Sequence, residues 1–188
     1  MNWHYSRTMP VGKLVTVGLW EDTEFRGAVL FGRGANPNLG APYGLEQTEC
    51  VELVRVALRE HSTPVSQVVA KALKVLRATS PGVQLVVSFA DTAHGHHGGI
   101  YQAGNWVYTG KLTSPPSVLY NGKWTHSRAL RQSGFGTVVG AAKLSKKEQA
   151  ALPHRPGSQK LRYLYPMDRA TRKRLQPLAL PYLKRDSI

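Results

Sequence analysis

The stretch from Leu85 to Tyr108 reads LVVSFADTAHGHHGGIYQAGNWVY, and it decides the fold that the sequence predicts. It begins with an apolar run, Leu85 to Phe89, whose length and β-branched content favour a buried strand. The strand ends on a carboxylate, Asp91. Because ionisable groups are rarely placed at the end of a buried strand without a role, Asp91 is the first candidate site residue.

The second half of the stretch predicts a loop, a short helix and another strand. The loop, Thr92 to Gly99, contains three histidines and three glycines, so imidazoles and backbone amides crowd a short segment. A short helix from about Ile100 to Ala103 would carry Tyr101. The Gly104-Asn105 pair is typical of a left-handed stop before a strand over Trp106 to Tyr108.

A hairpin and a strand precede this stretch. Two runs rich in valine, leucine and aromatic residues flank the polar segment Glu21 to Glu24 and predict the hairpin. The segment Thr48 to Leu58 predicts a strand that carries Glu52 and Arg55 within an apolar run. Positions three apart face opposite sides of a regular strand, so these two side chains share a face only if a bulge intervenes. A structural ion pair and a functional role are both open.

Local signals also predict the helix after that strand and the elements after Tyr108. Ser62 to Pro64 supplies cap and first-turn residues, and apolar residues then recur at helical spacing up to a stop near Ser80. The later predicted elements are a hairpin around Asn121-Gly122, a helix over Ser145–Leu152 with Ser145 and Glu148 as a capping box, an edge strand over Lys160–Tyr165, and a basic helix over Asp168–Gln176.

Length and cysteine content narrow the class of protein. With 188 residues, the chain is long enough to bury a substantial core. Its single cysteine, Cys50, excludes an internal disulfide and a thiol-based metal cluster. No secretion signal or apolar run of about 20 residues is present, so we expect a soluble, cytoplasmic protein without a membrane partner.

The net charge of +14 is concentrated in the second part of the chain. Residues 1 to 110 contain 9 Lys/Arg and 8 Asp/Glu, whereas residues 111 to 188 contain 16 Lys/Arg and 3 Asp/Glu. A near-neutral unit followed by a strongly basic segment favours a polyanionic partner, and nucleic acid is the leading interpretation. A solvated basic tail and an acidic membrane surface are the alternatives. The candidate DNA contacts are Trp124, Arg128, Arg131, Lys160, Arg162, Arg172, Lys173 and Arg174.

The predicted elements follow one another as hairpin, strand, helix, strand, short helix and strand. This order resembles that of the Gcn5-related N-acetyltransferase superfamily. The resemblance implies an α+β fold of the three-layer type, with a mixed, mainly antiparallel sheet flanked by helices. It also implies that the superfamily's first strand and helices are missing or reduced. On this reading residues 1–110 form the catalytic core, and residues 111–188 form a basic extension that packs on the core as a DNA-binding arm.

Three stretches carry a narrower resemblance. They are Trp3 to Arg7, Cys50 to Leu58 and Val87 to Tyr108, with SFAD, HGHHGG and IYQAGNW as the most specific motifs. They resemble the Mom family of phage DNA-modification proteins, and the similarity extends into the basic end, RYLYPMDRATRKRL. The resemblance implies conversion of the exocyclic amine of adenine in double-stranded DNA to a carbamoylmethyl (acetamido) form, which protects the DNA from host restriction endonucleases.

The same resemblance implies the site residues. The catalytic set is His4, Tyr5, Arg55, Asp91 and Tyr101, with Ser6 and Glu52 as neighbours. Asp91 would accept the amine proton or orient His4 to do so, Tyr101 would act as general acid for a leaving thiolate, and Arg55 would neutralise developing charge. The target amine lies inside a duplex, so the base must be flipped, with Trp3, Tyr5, Trp106 and Trp124 as stacking candidates and core packing as the alternative for Trp106.

The resemblance also suggests an acyl donor for the reaction and a bound metal. In the superfamily a glycine-rich loop presents amides to the diphosphate of an acyl-coenzyme A, and the corresponding segment here, Arg59 to Ser66, has no glycine. Acetyl-CoA or a related acyl donor would then be held by Val56, Arg59, Ser62 and Ser66. Members of the family are described as iron-associated, and Asp91 with His94 and His96 is the candidate metal set. A homodimer is an open alternative to a monomer.

Three further classes of function are open at this point. The first is a catalytically silent nucleic-acid-binding protein with the same fold. The second is an ordinary acetyl-CoA-dependent N-acetyltransferase, against which the missing glycines argue. The third is a His-Asp metallohydrolase, which would need a metal and no acyl donor.

Overall fold

The computed structural model describes residues 10, 12–34, 36–130 and 144–184, and a six-stranded sheet forms its centre. In spatial order the strands are β1 (Leu14–Glu21), β2 (Glu24–Gly32), β3 (Cys50–Leu58), β4 (Leu85–Asp91), β9 (Gln159–Pro166) and β5 (Val107–Thr113). All neighbouring strands of this sheet are antiparallel except β3 and β4, which are parallel.

Helices and a second, three-stranded sheet complete the described fold. The helices are α1 (Val65–Thr79), α2 (Gly99–Ala103), α3 (Lys146–Ala150) and α4 (Arg169–Leu175), and the small sheet has the order β7 (Lys123–His126), β6 (Ser117–Tyr120) and β8 (His154–Arg155). The predicted α+β class with a mainly antiparallel sheet flanked by helices is confirmed. None of the helices in the described ranges has the length and apolar character needed to cross a membrane.

The main core lies between the helix α1 and one face of the sheet. Its buried residues, Val68, Val69, Ala72, Leu73 and Leu76, recur at helical spacing, as the sequence predicts. A second apolar cluster lies on the opposite face of β4, where Leu85 and Val87 pack near Leu175 of α4. The sheet is therefore covered on both faces.

Turn chemistry explains why the local predictions hold. The β1–β2 hairpin closes through Asp22 and Thr23, which both adopt positive φ (49° and 71°), as a two-residue hairpin turn requires. The predicted hairpin at Asn121-Gly122 has the same form, with φ of 48° and 73°. Before β5, the left-handed residue is Asn105 (φ 56°) and not Gly104 (φ −89°).

The strand β3 contains a bulge at Val54. Arg55 pairs with Leu30, while the next registered pair joins Leu53 to Phe31, so Val54 is the extra residue. This shift changes which side chains share a face.

The bulge brings Glu52 and Arg55 to the same face of the sheet. Glu52 lies opposite Gly32 and Arg55 lies opposite Leu30, and these two partners are two positions apart on β2. Residues two apart in a strand point to the same side. The sequence predicts that Glu52 and Arg55 share a face only if a bulge intervenes, and the structure contains that bulge.

The parallel strands β3 and β4 are paired only at their beginnings. The register joins Cys50–Glu52 to Leu85–Val87, and among the described residues it extends no further. Both strands continue, β3 to Leu58 and β4 to Asp91, so their carboxyl ends lie on either side of an opening in the sheet. Open sheets with parallel strands commonly bind ligands at such carboxyl ends.

The strand β9 lies inside the sheet, so the predicted edge position of Lys160–Tyr165 is wrong. It is hydrogen-bonded to β4 on one side and to β5 on the other. Its alternating charged residues resemble those of an edge strand, but Lys160 forms an ion pair with Asp91, and the Arg162 guanidinium donates to the Thr109 hydroxyl at 2.8 Å.

The boundary predicted at residue 110 falls within β5, so the segment from 111 to 188 shares the main sheet instead of only packing on it.

The C-terminal segment covers the outer edge of β5. The Leu180 amide donates to the Tyr108 carbonyl oxygen at 2.9 Å, and the Tyr182 hydroxyl donates to the Trp106 carbonyl oxygen at 2.6 Å. Arg172 and this segment line an open cavity of about 290 Å³ beside the edge. Covering an edge strand in this way removes a surface that could pair with another chain.

Candidate active site

Tyr101 is buried on α2 beside the opening between β3 and β4. Its hydroxyl lies 2.8 Å from the Ser88 hydroxyl, which lies 3.2 Å from the Leu53 carbonyl oxygen on β3. A serine hydroxyl carries one hydrogen and two acceptor sites, so Ser88 can donate to Leu53 while it accepts from Tyr101. Ser88 therefore links the Tyr101 hydroxyl to the point where the two parallel strands separate.

Aromatic rings hold the Tyr101 side chain in place. The ring centroid of Tyr101 lies 5.0 Å from that of Trp106, in an edge-on arrangement, and 5.0 Å from that of Tyr163. Trp106 is only 1% exposed, so it is a core residue and cannot stack on a flipped base. That stacking prediction for Trp106 is wrong. Around Tyr101 the site is largely apolar.

Asp91 is anchored by three contacts at the end of β4. The Ala93 amide donates to Oδ1 at 3.1 Å, the Ser158 hydroxyl donates to Oδ2 at 3.0 Å, and Lys160 Nζ lies 3.6 Å from Oδ2. Asp91 is 9% exposed, so these partners fix the direction of a nearly buried carboxylate. Through Ala93 it also begins the short 3₁₀ turn Thr92–His94.

Asp91 and Tyr101 lie on opposite faces of β4. Val86 and Ala90 belong to the core on the α1 side, and Ser88, which contacts Tyr101, shares their parity. Asp91 has the parity of Leu85 and Val87, which belong to the cluster on the other face.

Arg55 lies on the same face as Asp91. Cys50 of β3 belongs to the cluster of Leu85 and Val87, and Glu52 shares its parity. The bulge then brings Arg55 to the face of Glu52. Arg55 and Asp91 therefore share one face of the sheet, and Tyr101 lies on the other.

Some predicted site residues lie outside the described part of the chain. These are Trp3, His4, Tyr5 and Ser6 at the beginning and Arg131 in the second half, together with the side chain of Arg128. Their assignment stays a prediction.

Cys50 is not a nucleophile of this site. It is buried, and burial, with a smaller effect from the Glu52 carboxylate, raises the pKa of its thiol to about 12. A thiol with so high a pKa is almost entirely protonated at neutral pH, so it is a poor attacking group.

The predicted metal set is not assembled. Among residues 10, 12–34, 36–130 and 144–184, no three His, Cys, Asp or Glu side chains are placed to share a metal ion. Asp91 is engaged by Ala93, Ser158 and Lys160, and the rings of His94 and His96 contact each other with centroids 6.2 Å apart. The described residues therefore do not fit an iron site built from Asp91, His94 and His96, and iron held elsewhere stays a prediction.

The turn before α1 already holds an anion. The Glu21 carboxylate accepts from the Ser62 amide at 2.9 Å and from the Thr63 amide at 2.8 Å. Hydrogen bonds from Thr63 and Ser62 lower the pKa of Glu21 to about 2, so it is ionised at neutral pH. The predicted donor-binding turn therefore does not fit a diphosphate, because a carboxylate of the same chain takes its amides.

The other residues predicted to bind the donor have different environments. Val56 packs against the α1 core. Ser66 lies in the first turn of α1, which begins at Val65 with Pro64 as its N-cap and without a side-chain cap. The predicted side-chain cap from Ser62 or Thr63 is wrong, because the N-cap position belongs to Pro64, whose side chain has no hydrogen-bond acceptor.

Trp124 is the aromatic residue among the predicted DNA contacts, and its side chain is exposed. It is 42% exposed on the small sheet, and the Arg155 guanidinium lies 5.0 Å from its ring centroid. Sequence reasoning did not single out Arg155, because β8 joins the small sheet, through its pairing with β6, only in the folded chain.

The predicted cations divide into structural and exposed groups. Lys160 pairs with Asp91, and Arg162 binds Thr109 and lies over the Tyr43 ring at 6.0 Å. On α4, Arg172 donates to the Asn105 carbonyl oxygen at 3.4 Å, while Lys173 and Arg174 are exposed. The exposed residues of α4 are therefore better placed for phosphate than those of β9.

Sequence reasoning missed three further contributors to the site and its surroundings: Ser88, Ser158 and Glu21. A serine within the apolar run of β4 is a usable signal, because a buried hydroxyl needs a partner. Ser158 and Glu21 carry no such signal, since their partners lie 67 and 41 positions away along the chain.

Comparison with known proteins identifies the family. The sequence profile of the Mom protein family matches residues 1–184. The chain is 31% identical over 178 residues to the methylcarbamoylase Mom of Escherichia phage Mu, and this covers 92% of the chain and 71% of that protein. A match over nearly the whole chain includes the strands that carry Arg55 and Asp91 and the helix that carries Tyr101. The chain belongs to the Mom protein family.

Proposed function

We propose that this protein is a DNA-modification enzyme that transfers a carbamoylmethyl group to the exocyclic amine of adenine in double-stranded DNA, and that the modification protects phage DNA from restriction endonucleases. The observation that carries the proposal is the 31% identity, over 92% of the chain, to a phage protein named a methylcarbamoylase. The HGHHGG and IYQAGNW motifs resemble those of the Mom family, and this resemblance supports double-stranded DNA as the substrate and adenine as the modified base.

The chemistry requires a proton acceptor near the amine. The lone pair of the adenine amine is delocalised into the ring, so a proton must leave the nitrogen as the new carbon–nitrogen bond forms. Asp91 is the proposed acceptor, directly or through His4. The contacts from Ala93 and Ser158 hold the carboxylate in one orientation, and its two oxygens have about four lone-pair sites in all, which leaves capacity for the incoming proton.

Charge stabilisation and leaving-group protonation are assigned to separate faces of the opening. Arg55, on the face of Asp91, would bind negative charge that develops on the electrophile. Tyr101, on the other face, would give its hydroxyl proton to the leaving group. Ser88 supports this assignment, because its hydroxyl lies 2.8 Å from Tyr101 Oη and, when it donates to Tyr101 instead of Leu53, leaves the Tyr101 proton for the leaving group.

We also propose that the sheet is a divergent version of the acetyltransferase fold. The supporting feature is the separation of β3 from β4 after three registered pairs, next to a bulge in β3 and ahead of the helix α1. In this arrangement the substrates would meet at the carboxyl ends of β3 and β4.

The duplex would be held by the basic second part of the chain. Residues 111 to 188 carry 16 Lys/Arg and 3 Asp/Glu, and such an excess supports phosphate binding. Trp124 with Arg155 on the small sheet is the proposed stacking and phosphate contact, because aromatic rings next to guanidinium groups are suited to unstacked bases.

Mass spectrometry of nucleosides tests the proposal. Plasmid DNA from cells that express the chain should contain an adenosine heavier by one carbamoylmethyl group, and the same DNA should resist restriction enzymes whose sites contain adenine. DNA from cells that express Asp91→Asn at the same level should lack both properties. Unmodified adenine with the unaltered chain, together with retained duplex binding, would instead favour a binding protein without catalysis.

A further inference from the structure

Glu21 connects two distant parts of the fold through its carboxylate. It ends β1, and its two oxygens accept from the amides of Ser62 and Thr63, which lie just before α1. The bonds measure 2.9 and 2.8 Å, so each oxygen has one backbone donor at normal hydrogen-bond length. The arrangement is that of an anion bound by consecutive backbone amides.

The turn that offers these amides is itself ordered. Glu60 has a positive φ of 41°, and His61 Nδ1 lies 2.9 Å from the Thr63 carbonyl oxygen. The Arg59 amide donates to the Arg26 carbonyl oxygen at 2.9 Å, which ties the start of the turn to β2. The amides of Ser62 and Thr63 are thus presented to Glu21 by a defined backbone conformation.

The position matters because helix N-termini are where proteins commonly bind phosphate. The first amides of a helix lack partners within it, and the helix dipole favours negative charge there. Ser62 and Thr63 lie just ahead of α1, whose N-cap is Pro64 and whose first residue is Val65, so a diphosphate bound in this turn would compete with Glu21 for the Ser62 and Thr63 amide hydrogens. The hydrogen bonds from Thr63 and Ser62 lower the pKa of Glu21 to about 2, so the carboxylate is ionised at neutral pH.

The surrounding charges also disfavour a second anion. Asp22, Glu24 and Glu60 are exposed and lie in the two turns that meet here. Arg26 is shared by Glu24, at 2.9 Å, and Glu60, at 3.7 Å, so its charge is already partly compensated. A dianionic diphosphate would have to displace one carboxylate and approach several others.

We propose that Glu21 is a built-in occupant of the anion-binding turn before α1 and that it excludes donors that carry a diphosphate, such as a coenzyme A thioester, from this turn. In the reaction proposed above, on which this consequence rests, the carbamoylmethyl donor therefore belongs to a class that is not anchored by a diphosphate on the Ser62 and Thr63 amides. Glu21 is a specificity-determining residue for the donor and takes no part in the chemical step.

Coenzyme A binding to the purified chain tests the proposal without DNA or catalysis. Isothermal titration calorimetry should detect no saturable binding to the unaltered chain at about 1 mM coenzyme A, and a gain of at least about tenfold in affinity for Glu21→Ala. Glu24→Ala removes an acidic group from the same hairpin without freeing the two amides, so it should behave as the unaltered chain does. Faster hydrogen exchange at the Ser62 and Thr63 amides in Glu21→Ala, but not in Glu24→Ala, is the second readout.

Two results would overturn the proposal. One is saturable coenzyme A binding by the unaltered chain that Glu21→Ala does not strengthen. The other is absence of binding by both, which would mean that the turn is no diphosphate site even when it is vacant. If Glu21→Ala does not fold, Glu21→Gln, which keeps the shape and removes the charge, replaces it in the same comparison. Neither result depends on DNA modification in cells, so failure here is distinguishable from failure of the proposed function.

Discussion

The hydroxyl groups of Ser88 and Tyr101 lie 2.8 Å apart, and Ser88 also reaches the Leu53 carbonyl oxygen at 3.2 Å. This short chain of polar atoms crosses from α2 through β4 to β3, at the point where the paired part of β3 and β4 ends. A buried hydroxyl pair in an otherwise apolar core is costly unless both members are hydrogen-bonded. Both members are hydrogen-bonded here, so the pair also fits a purely structural role, and substitution of each hydroxyl separates that role from the proposed catalytic one.

Removing the Tyr101 hydroxyl should reduce modification far more than stability. In Tyr101→Phe the ring keeps its packing against Trp106 and Tyr163, so the free energy of unfolding should fall by only about 1 kcal/mol. Modification should fall by about a hundredfold or more, as expected for loss of a general acid. Nucleoside mass spectrometry and urea unfolding measure the two effects.

Ser88→Ala is the matched control for that prediction. It leaves the Tyr101 hydroxyl in place but removes its neighbour, so modification should fall less than in Tyr101→Phe. Equal modification by Tyr101→Phe and the unaltered chain would remove Tyr101 from the mechanism.

Truncating Trp124 should weaken binding to duplex DNA. We expect Trp124→Ala to lose about tenfold or more in affinity, because it removes the exposed ring that lies beneath Arg155. Fluorescence anisotropy with a labelled duplex at several salt concentrations is the measurement. The affinity of both proteins should also fall steeply with salt, since phosphate contacts release counterions.

Trp20→Ala controls for the general loss of an exposed aromatic residue. Trp20 is 61% exposed, but it stacks on Phe25 next to the acidic turn of the β1–β2 hairpin. DNA affinity should not change in this variant. An equal loss in Trp20→Ala and Trp124→Ala, or a flat salt response, would argue against the small sheet as the DNA-binding surface.

Glu21 should make stability depend on pH in the acidic range. Its pKa is lowered from 4.5 to about 2 in the folded chain, so its stabilising contribution is fully present above about pH 4.5 and is lost as the pH falls towards 2. Urea unfolding between pH 7 and 2.5 should therefore show a smaller decline for Glu21→Gln than for the unaltered chain. Identical declines for the two proteins would mean that the bonds to Ser62 and Thr63 do not form in solution.

Leu76→Ala should test the packing of α1 on the sheet. Leu76 is fully buried in the main core, so its truncation should lower the free energy of unfolding by about 2–5 kcal/mol. Val75→Ala, on the exposed side of the same helix, should cost far less. Similar effects of the two substitutions would contradict this orientation of α1.

Elements whose signals are local were predictable from the sequence. The hairpin turn at Asp22-Thr23, the capping box of Ser145 with Glu148 and the apolar stripe of α1 depend on residues a few positions apart. In each case a short segment specifies its own conformation, and the structure confirms it. The same holds for α4, which begins where the Asp168 carboxylate accepts from the Thr171 amide.

Features that depend on distant partners were not predictable. The inner position of β9 follows from pairing with both β4 and β5, and its alternating pattern alone is equally typical of an edge strand. The occupation of the turn before α1 by Glu21 depends on a contact between residues 41 positions apart. The placement of Asp91 and Tyr101 on opposite faces required the register of the whole sheet.

The most direct test is the mass of adenine nucleosides from DNA of cells that express this chain, compared with cells that express Asp91→Asn. We predict a carbamoylmethylated adenosine with the unaltered chain and none above background with the variant. Only ordinary adenosine in both samples, with folded protein present in each, would contradict the proposal that this member of the Mom protein family modifies DNA.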